Sequence, residues 1–198
     1  MRASTATRVG DDQQLLDTIY AVKKSFGTKC HKYAGALTVE CLRQAFAEHG
    51  IPTSQRDVFI KGVPVEIDLV VPKTTARPDY GICYEADDVL AALEVKSYGA
   101  FGQGAAERIR ACFKEILRSN PSIWCAYVTL TERKNYKYAV NCSNLEFPAF
   151  TLFWHSGPEV NPQFSSTGQW AHLISELKKL PMRPRDVGTY CSTEVTSS

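Results

Sequence analysis

No apolar run in this chain approaches the ~20 residues needed to cross a bilayer, so no membrane span is expected. Residues 1–8 have no apolar core either, and no secretory signal is read there. A Cys-x-x-Cys pair is missing: the seven cysteines (30, 41, 83, 112, 125, 142 and 191) are scattered and odd in number. Cys41, Cys83, Cys112 and Cys125 fall at apolar positions of expected elements. They read as reduced core thiols of a cytoplasmic protein, which argues against a zinc site or a disulfide framework. His31, His49, His155 and His172 have no metal-ligand spacing and read as structural. The chain also lacks a strong charge excess. A net charge of +2 does not announce a polyanion partner, yet a basic groove can be balanced by acids elsewhere. Internal repeats and interdomain linkers are absent, and 198 residues suit one domain with a sizeable core. That core is expected over about residues 30–180, with loose Ser/Thr-rich tails at 1–10 and 189–198.

What is present is an alternation of helix and strand signals. Apolar residues at helical spacing predict a helix over 11–26 and a second over 34–48, ended by Gly50. The second has a stripe of Leu37, Cys41, Leu42, Ala45 and Phe46, with Glu40 at its edge. Strand signals over 57–60 and 63–71 flank Lys61-Gly62 and read as a hairpin. Val65, Ile67, Leu69 and Val71 then share one face, Glu66, Asp68 and Val70 the other. A short strand is expected around 82–84, a longer one over 89–97, a helix over 105–119, and an apolar central strand over 123–130. A strand over 150–154 and a helix over 170–180 close the series. Strand, helix, strand across 89–130 implies a parallel crossover. The expected fold is a single α/β domain with a mixed central sheet flanked by helices.

Within the strand 89–97 stands Glu94-Val95-Lys96, after the apolar run Val89-Leu90-Ala91-Ala92-Leu93. Residues two apart on a strand point to one face, so the carboxylate and the ammonium project together. Leu90 and Ala92 on that face argue for burial, where charge is costly unless it is compensated. Glu132-Arg133-Lys134 and Glu176-Leu177-Lys178 have the same acid-x-Lys form. They fall in a charged turn and an amphipathic helix, so context singles out Glu94. Hydrolysing a phosphodiester requires charge stabilisation at phosphorus and a hydroxide at neutral pH. One or two Mg²⁺ ions held by carboxylates supply both, with a lysine to orient or deprotonate the water. Asp68 lies on the strand expected antiparallel to 89–97, and the Val95 carbonyl is a natural further ligand for a hard cation.

This arrangement resembles the PD-(D/E)XK nuclease superfamily, the restriction-endonuclease-like fold. The matching residues are Gly35-x4-Glu40 on a helix, 65–71 on a strand, 93–97 on the next, and helix 105–119 leading to strand 123–130. The resemblance implies Asp68 and Glu94 as ligands of Mg²⁺ (or Mn²⁺), Lys96 as the catalytic lysine and Glu40 as a helical acid completing the site. Pro78-Asp79 spells the family motif literally, with fourteen residues between it and Glu94, and Asp79 is the alternative to Asp68. The uninterrupted strand around Asp68, against the loop composition around Asp79, favours Asp68. Ser97, Gln103 and Arg108 are candidate nucleic-acid contacts. The function implied is a metal-dependent endonuclease on DNA, of restriction, phage-defence or repair type. A nuclease-fold protein that binds DNA or a protein partner without cutting is the alternative. Cutting two strands at once calls for two sites, which a homodimer would supply.

Overall fold

The structure, a computed structural model, describes residues 17–18, 31–98, 103–133, 146–156 and 163–180. The helix expected over 11–26 lies outside them except for residues 17 and 18, which are helical. The first full element is α1 (His31–Glu48). Its buried positions Val39, Leu42 and Phe46 follow the i, i+3, i+7 spacing of one helical face. The expected stripe is therefore rotated by about one residue, from Leu37 and Cys41 onto Val39. Gly50, at φ +72°, ends the helix in the left-handed conformation that an L side chain seldom adopts.

After α1 come the short strand β1 (Phe59–Ile60), β2 (Leu69–Pro72) and the short strand β3 (Cys83–Tyr84). The long strand β4 (Val89–Tyr98), the helix α2 (Gln103–Ser119) and the long strand β5 (Trp124–Arg133) follow. The described chain closes with β6 (Ala149–Ser156), β7 (Gln163–Ser166) and α3 (Gln169–Lys179). One five-stranded sheet has the order β2-β4-β5-β6-β7, and β1 and β3 form a separate parallel pair. Within the large sheet β4, β5 and β6 run parallel, while β2 and β7 are antiparallel to their neighbours. The sheet is mixed, as the sequence predicts. None of the described helices is long and apolar enough to cross a membrane.

Side-chain alternation divides the core into two layers. Leu69, Val71, Ala91, Leu93, Val95, Ala126 and Val128 pack with α1 and α3. Val70, Ala92, Cys125 and Tyr127 pack on the other face with Ile109, Phe113 and Ile116 of α2. Glu94 and Lys96 have the parity of Ala92, so they belong to the α2 side. Apolar residues bury both faces over 89–93 of β4 and 125–128 of β5, which is why these stretches read as continuous hydrophobic runs.

Three expectations need correction. β5 extends to Arg133, so Glu132 is a buried strand residue and not part of a charged turn. Its partner β6 continues to Ser156 and supplies a ladder out to Arg133 opposite His155. The strand β7 carries no strong signal, because Gln163-Phe164-Ser165-Ser166 is a mostly exposed polar edge. Finally, the hairpin 57–71 is mostly turn: a single antiparallel bridge, Val58 to Ile67, joins its arms, and β2 begins only at Leu69.

The outer edge of β2 is closed by Ser54. Its N–H donates to the Val70 carbonyl at 2.9 Å, and its hydroxyl accepts the Val70 N–H at 3.1 Å. Ser54 is 2% exposed, so neither Val70 group is left to water. Ser54→Ala would orphan the Val70 N–H and should cost about 1–3 kcal/mol. Denaturant titration at unchanged m-value checks this.

Candidate active site

The site is built where β2 and β4 part. Their ladder pairs Val71 with Ala91 and Leu69 with Leu93, so the next same-type pair would be Ile67 with Val95. Instead the chain bends at Asp68. Ile67 exchanges hydrogen bonds with Val58 (2.9 and 3.0 Å) and packs in the α2-side layer, opposite to Leu69. The expected single face of Ile67, Leu69 and Val71 is thus broken at Asp68. The bend leaves the Val95 N–H without a backbone partner on β2. The Asp68 carboxylate takes it, with Oδ2 accepting at 2.7 Å. N–H and C=O of one strand residue point to the same edge, so the Val95 carbonyl opens into this gap as well.

Lys96 occupies the centre of the gap. Its Nζ pairs closely with Glu94 Oε1 and lies 3.4 Å from Asp68 Oδ2 and 3.2 Å from the Val95 carbonyl. Glu94 is 18% exposed and Lys96 40%. Burial raises the Glu94 pKa, the Asp68 charge raises it further, and Lys96 only partly offsets both. Burial by itself lowers the Lys96 pKa, but the charges of Glu94 and Asp68 outweigh it and the net shift is upward. One positive charge is therefore shared by two carboxylates and a peptide oxygen.

These donors are all oxygens, the set that hard cations select. Among the described residues no three His, Cys, Asp or Glu side chains converge as a metal-holding group. The oxygen set here is two carboxylates plus the Val95 carbonyl, and Mg²⁺ ordinarily completes its octahedron with water. The residues present fit such an ion.

A cleft of about 700 Å³ opens beside the gap. Asp68, Val95, Lys96 and Ser97 form one wall, and Gly35, Ala36 and Val39 of α1 form another. Arg56, Asp57 and Glu66 complete it. Glu66 also adds to the upward shift at Glu94 through its charge. Local pattern does not mark Arg56 or Asp57 as site residues, whereas Glu66 shares alternation parity with Asp68.

Glu40 is not among the residues lining the cleft. Its carboxylate is held on α1 by Arg43 (2.7 and 2.8 Å) and Gln44 (3.0 Å), and the bond from Arg43 is the main cause of its lowered pKa. It stands at the rim, next to Val39 and within the electrostatic reach of Arg56. Asp79 is tied to Lys61 at 2.8 Å in the turn before β3, and of the two candidate aspartates it is Asp68 that meets Glu94 and Lys96. Ser97 lines the cleft, and its carbonyl accepts the Thr131 hydroxyl at 3.0 Å. Arg108 is exposed on α2 and is not part of the cleft wall, and the side chain of Gln103 lies outside the described residues. Further along α2, Arg110 and Lys114 are committed to Glu146.

The order of elements, the mixed sheet and its helices on both faces are those of the restriction-endonuclease-like fold. No protein-family model matches the chain, and no curated protein matches it in sequence. Solved structures do share the fold. P. aeruginosa ATCC27853 NucC in its cAAA-bound form aligns with TM-score 0.62 at 10% identity, over 86% of this chain and 88% of that one. E. coli MS115-1 NucC in its cAAA-bound form aligns with TM-score 0.61 at 10% identity, over the same shares, 86% and 88%. The apo form of the E. coli protein gives 0.52 at 11% identity, over 85% and 91%. At such identities the likeness is one of fold.

Proposed function

We propose that this protein is a metal-dependent nuclease of the PD-(D/E)XK kind that hydrolyses phosphodiester bonds of DNA. The observation that carries the reading is the convergence of the Asp68 carboxylate, the Glu94 carboxylate and the Val95 carbonyl on one positive centre. Those oxygens would hold Mg²⁺ or Mn²⁺, which when bound supplies charge stabilisation at phosphorus and an acidified water. Lys96, kept charged by its two carboxylates, would leave them for the water and orient it by donating a hydrogen bond. The Asp68–Val95 bond keeps the first carboxylate in place while Lys96 moves. The open cleft beside the gap leaves room for the strand to be cut, and a second copy of the chain would be needed to cut both strands at once.

The test is incubation with supercoiled plasmid in Mg²⁺, in Mn²⁺ and in chelator. Each condition is run with and without cAAA, because two of the NucC structures that share the fold are cAAA-bound. Nicked or linear product that requires the metal is expected. Absence of cleavage in every arm, together with no rise in melting temperature on adding Mg²⁺ or Mn²⁺, would refute the reading.

A further inference from the structure

Of the ten side chains and backbone segments that line the cleft, two carry positive charge, Arg56 and Lys96. Lys96 is committed to Asp68 and Glu94. Arg56 is held more loosely: it lies within the electrostatic reach of Glu40 without a hydrogen bond to it among the described residues. Its described ion pair is a single contact from Nε to the neighbouring Asp57 at 3.4 Å, and the side chain is 49% exposed. The terminal guanidinium nitrogens, the pair that grips two oxygens at once, have no hydrogen-bond partner among the described residues.

The position of Arg56 is fixed by the backbone that carries Asp68. Ser54 is doubly bonded to Val70, and Val58 is doubly bonded to Ile67. Between them the Asp57 N–H donates to the Asp68 carbonyl at 3.3 Å. Segment 54–58 therefore runs antiparallel against 67–70, with Arg56 set one residue from the bond to Asp68. Asp57 itself has φ +58°, a conformation uncommon for a side-chain-bearing residue and one that aspartate tolerates better than most. The result is a guanidinium on a braced turn beside Asp68, in the lining of the same cleft as Asp68, Val95 and Lys96.

We infer that Arg56 contacts a backbone phosphate of the bound nucleic acid and holds the strand against Asp68 and Glu94. The inference rests on the nuclease reading and adds the residue that positions the substrate. An arginine suits the task because its planar fork meets two phosphate oxygens and keeps its charge at every working pH. Holding one phosphate fixes register without reading sequence, so the contact should serve any target equally.

The experiment compares wild type with Arg56→Gln and Arg56→Lys. Duplex binding is measured in chelator over a salt series, and plasmid cleavage kinetics are measured in Mg²⁺. Arg56→Gln should weaken binding and raise KM about tenfold, and should flatten the log–log salt dependence by about one unit. The kcat should change much less. Arg56→Lys should restore the salt slope and most of the affinity, since charge is kept while the fork is lost. If wild type binds and cuts but Arg56→Gln has the same KM and salt slope, the inference falls and the nuclease reading stands. A fall in melting temperature that Arg56→Lys fails to repair would make Arg56 a brace for Asp57 and Glu40, which also overturns it. If wild type neither binds nor cuts nucleic acid, both fall together.

Discussion

Replacing Glu94 by glutamine should reduce DNA cleavage by about a thousandfold or more while the protein stays folded. The substitution removes one of two carboxylates from the proposed cation site and keeps its volume. The sign of the stability change follows from the Glu94 pKa, which burial and then Asp68 raise above the ordinary value. A carboxyl raised in the folded state binds more protons folded than unfolded. Its contribution is therefore most favourable below the ordinary carboxyl pKa and declines as pH rises through the folded value. Above that value the buried charge is a standing cost. Glutamine removes this cost, so the metal-free melting temperature at neutral pH should hold or rise slightly. Asp68 remains as a partner for Lys96.

The companion variant Lys96→Met separates catalysis from metal binding. It should abolish cleavage as well, yet Mg²⁺ should still stabilise the protein because lysine is not a ligand. In metal-free buffer it leaves Asp68 and Glu94 facing one another without their cation, so its stability should fall as pH rises from acid to neutral. Added Mg²⁺ should recover that loss. In wild type the metal-dependent rise in melting temperature should fade on acidification at a pH above the ordinary carboxylate range, since the proton and the metal compete for Glu94. Calorimetric scans with and without Mg²⁺ across pH check all three statements. A Glu94→Gln protein that still cuts DNA as well as wild type would overturn the assignment.

The largest loss of stability is expected from Phe46→Ala, at about 3–5 kcal/mol. Phe46 is 0% exposed and stacks on Trp170 with ring centroids 5.4 Å apart and planes 17° from parallel. The pair joins α1 to α3 over the sheet, inside the core cluster that holds Leu42, Leu173 and Leu177. For a chain of this size each kcal/mol corresponds to about 2–4 °C, so the melting temperature should fall by roughly 10 °C. The cleft should feel it too, because α1 also supplies Gly35, Ala36 and Val39 to the wall. Cleavage by Phe46→Ala should therefore lose activity steeply on warming while Mg²⁺ still stabilises it. Differential scanning fluorimetry paired with a temperature series of cleavage measures both effects.

The legible part of this protein was what local pattern encodes. Period-two alternation put Glu94 and Lys96 on one face. The apolar runs of β4 and β5 marked central strands, and helical spacing marked α1, α2 and α3. Those signals were enough for a mixed α/β sheet, because hydrophobic period and element order leave few ways to close a core. They ranked Asp68 above Asp79 on the uninterrupted strand signal of 65–71 against the loop composition before Asp79, and Asp68 is the one that lies within reach of Lys96. The site itself lies where that pattern breaks. Alternation runs straight through 65–71, yet the chain bends at Asp68, where Ile67 pairs with Val58 and enters the α2-side layer. The Asp68 carboxylate then replaces the missing backbone partner of Val95 and so comes to face Lys96. No local signal reports that exchange, since it depends on which of two strands Ile67 pairs with. Glu40 and Arg56 show the same dependence. Whether each reaches the cleft or its rim is set by the rotation of α1 against the sheet and by the bonds that hold segment 54–58 to β2. Both are contacts between residues distant in the chain, and only the closed fold selects them.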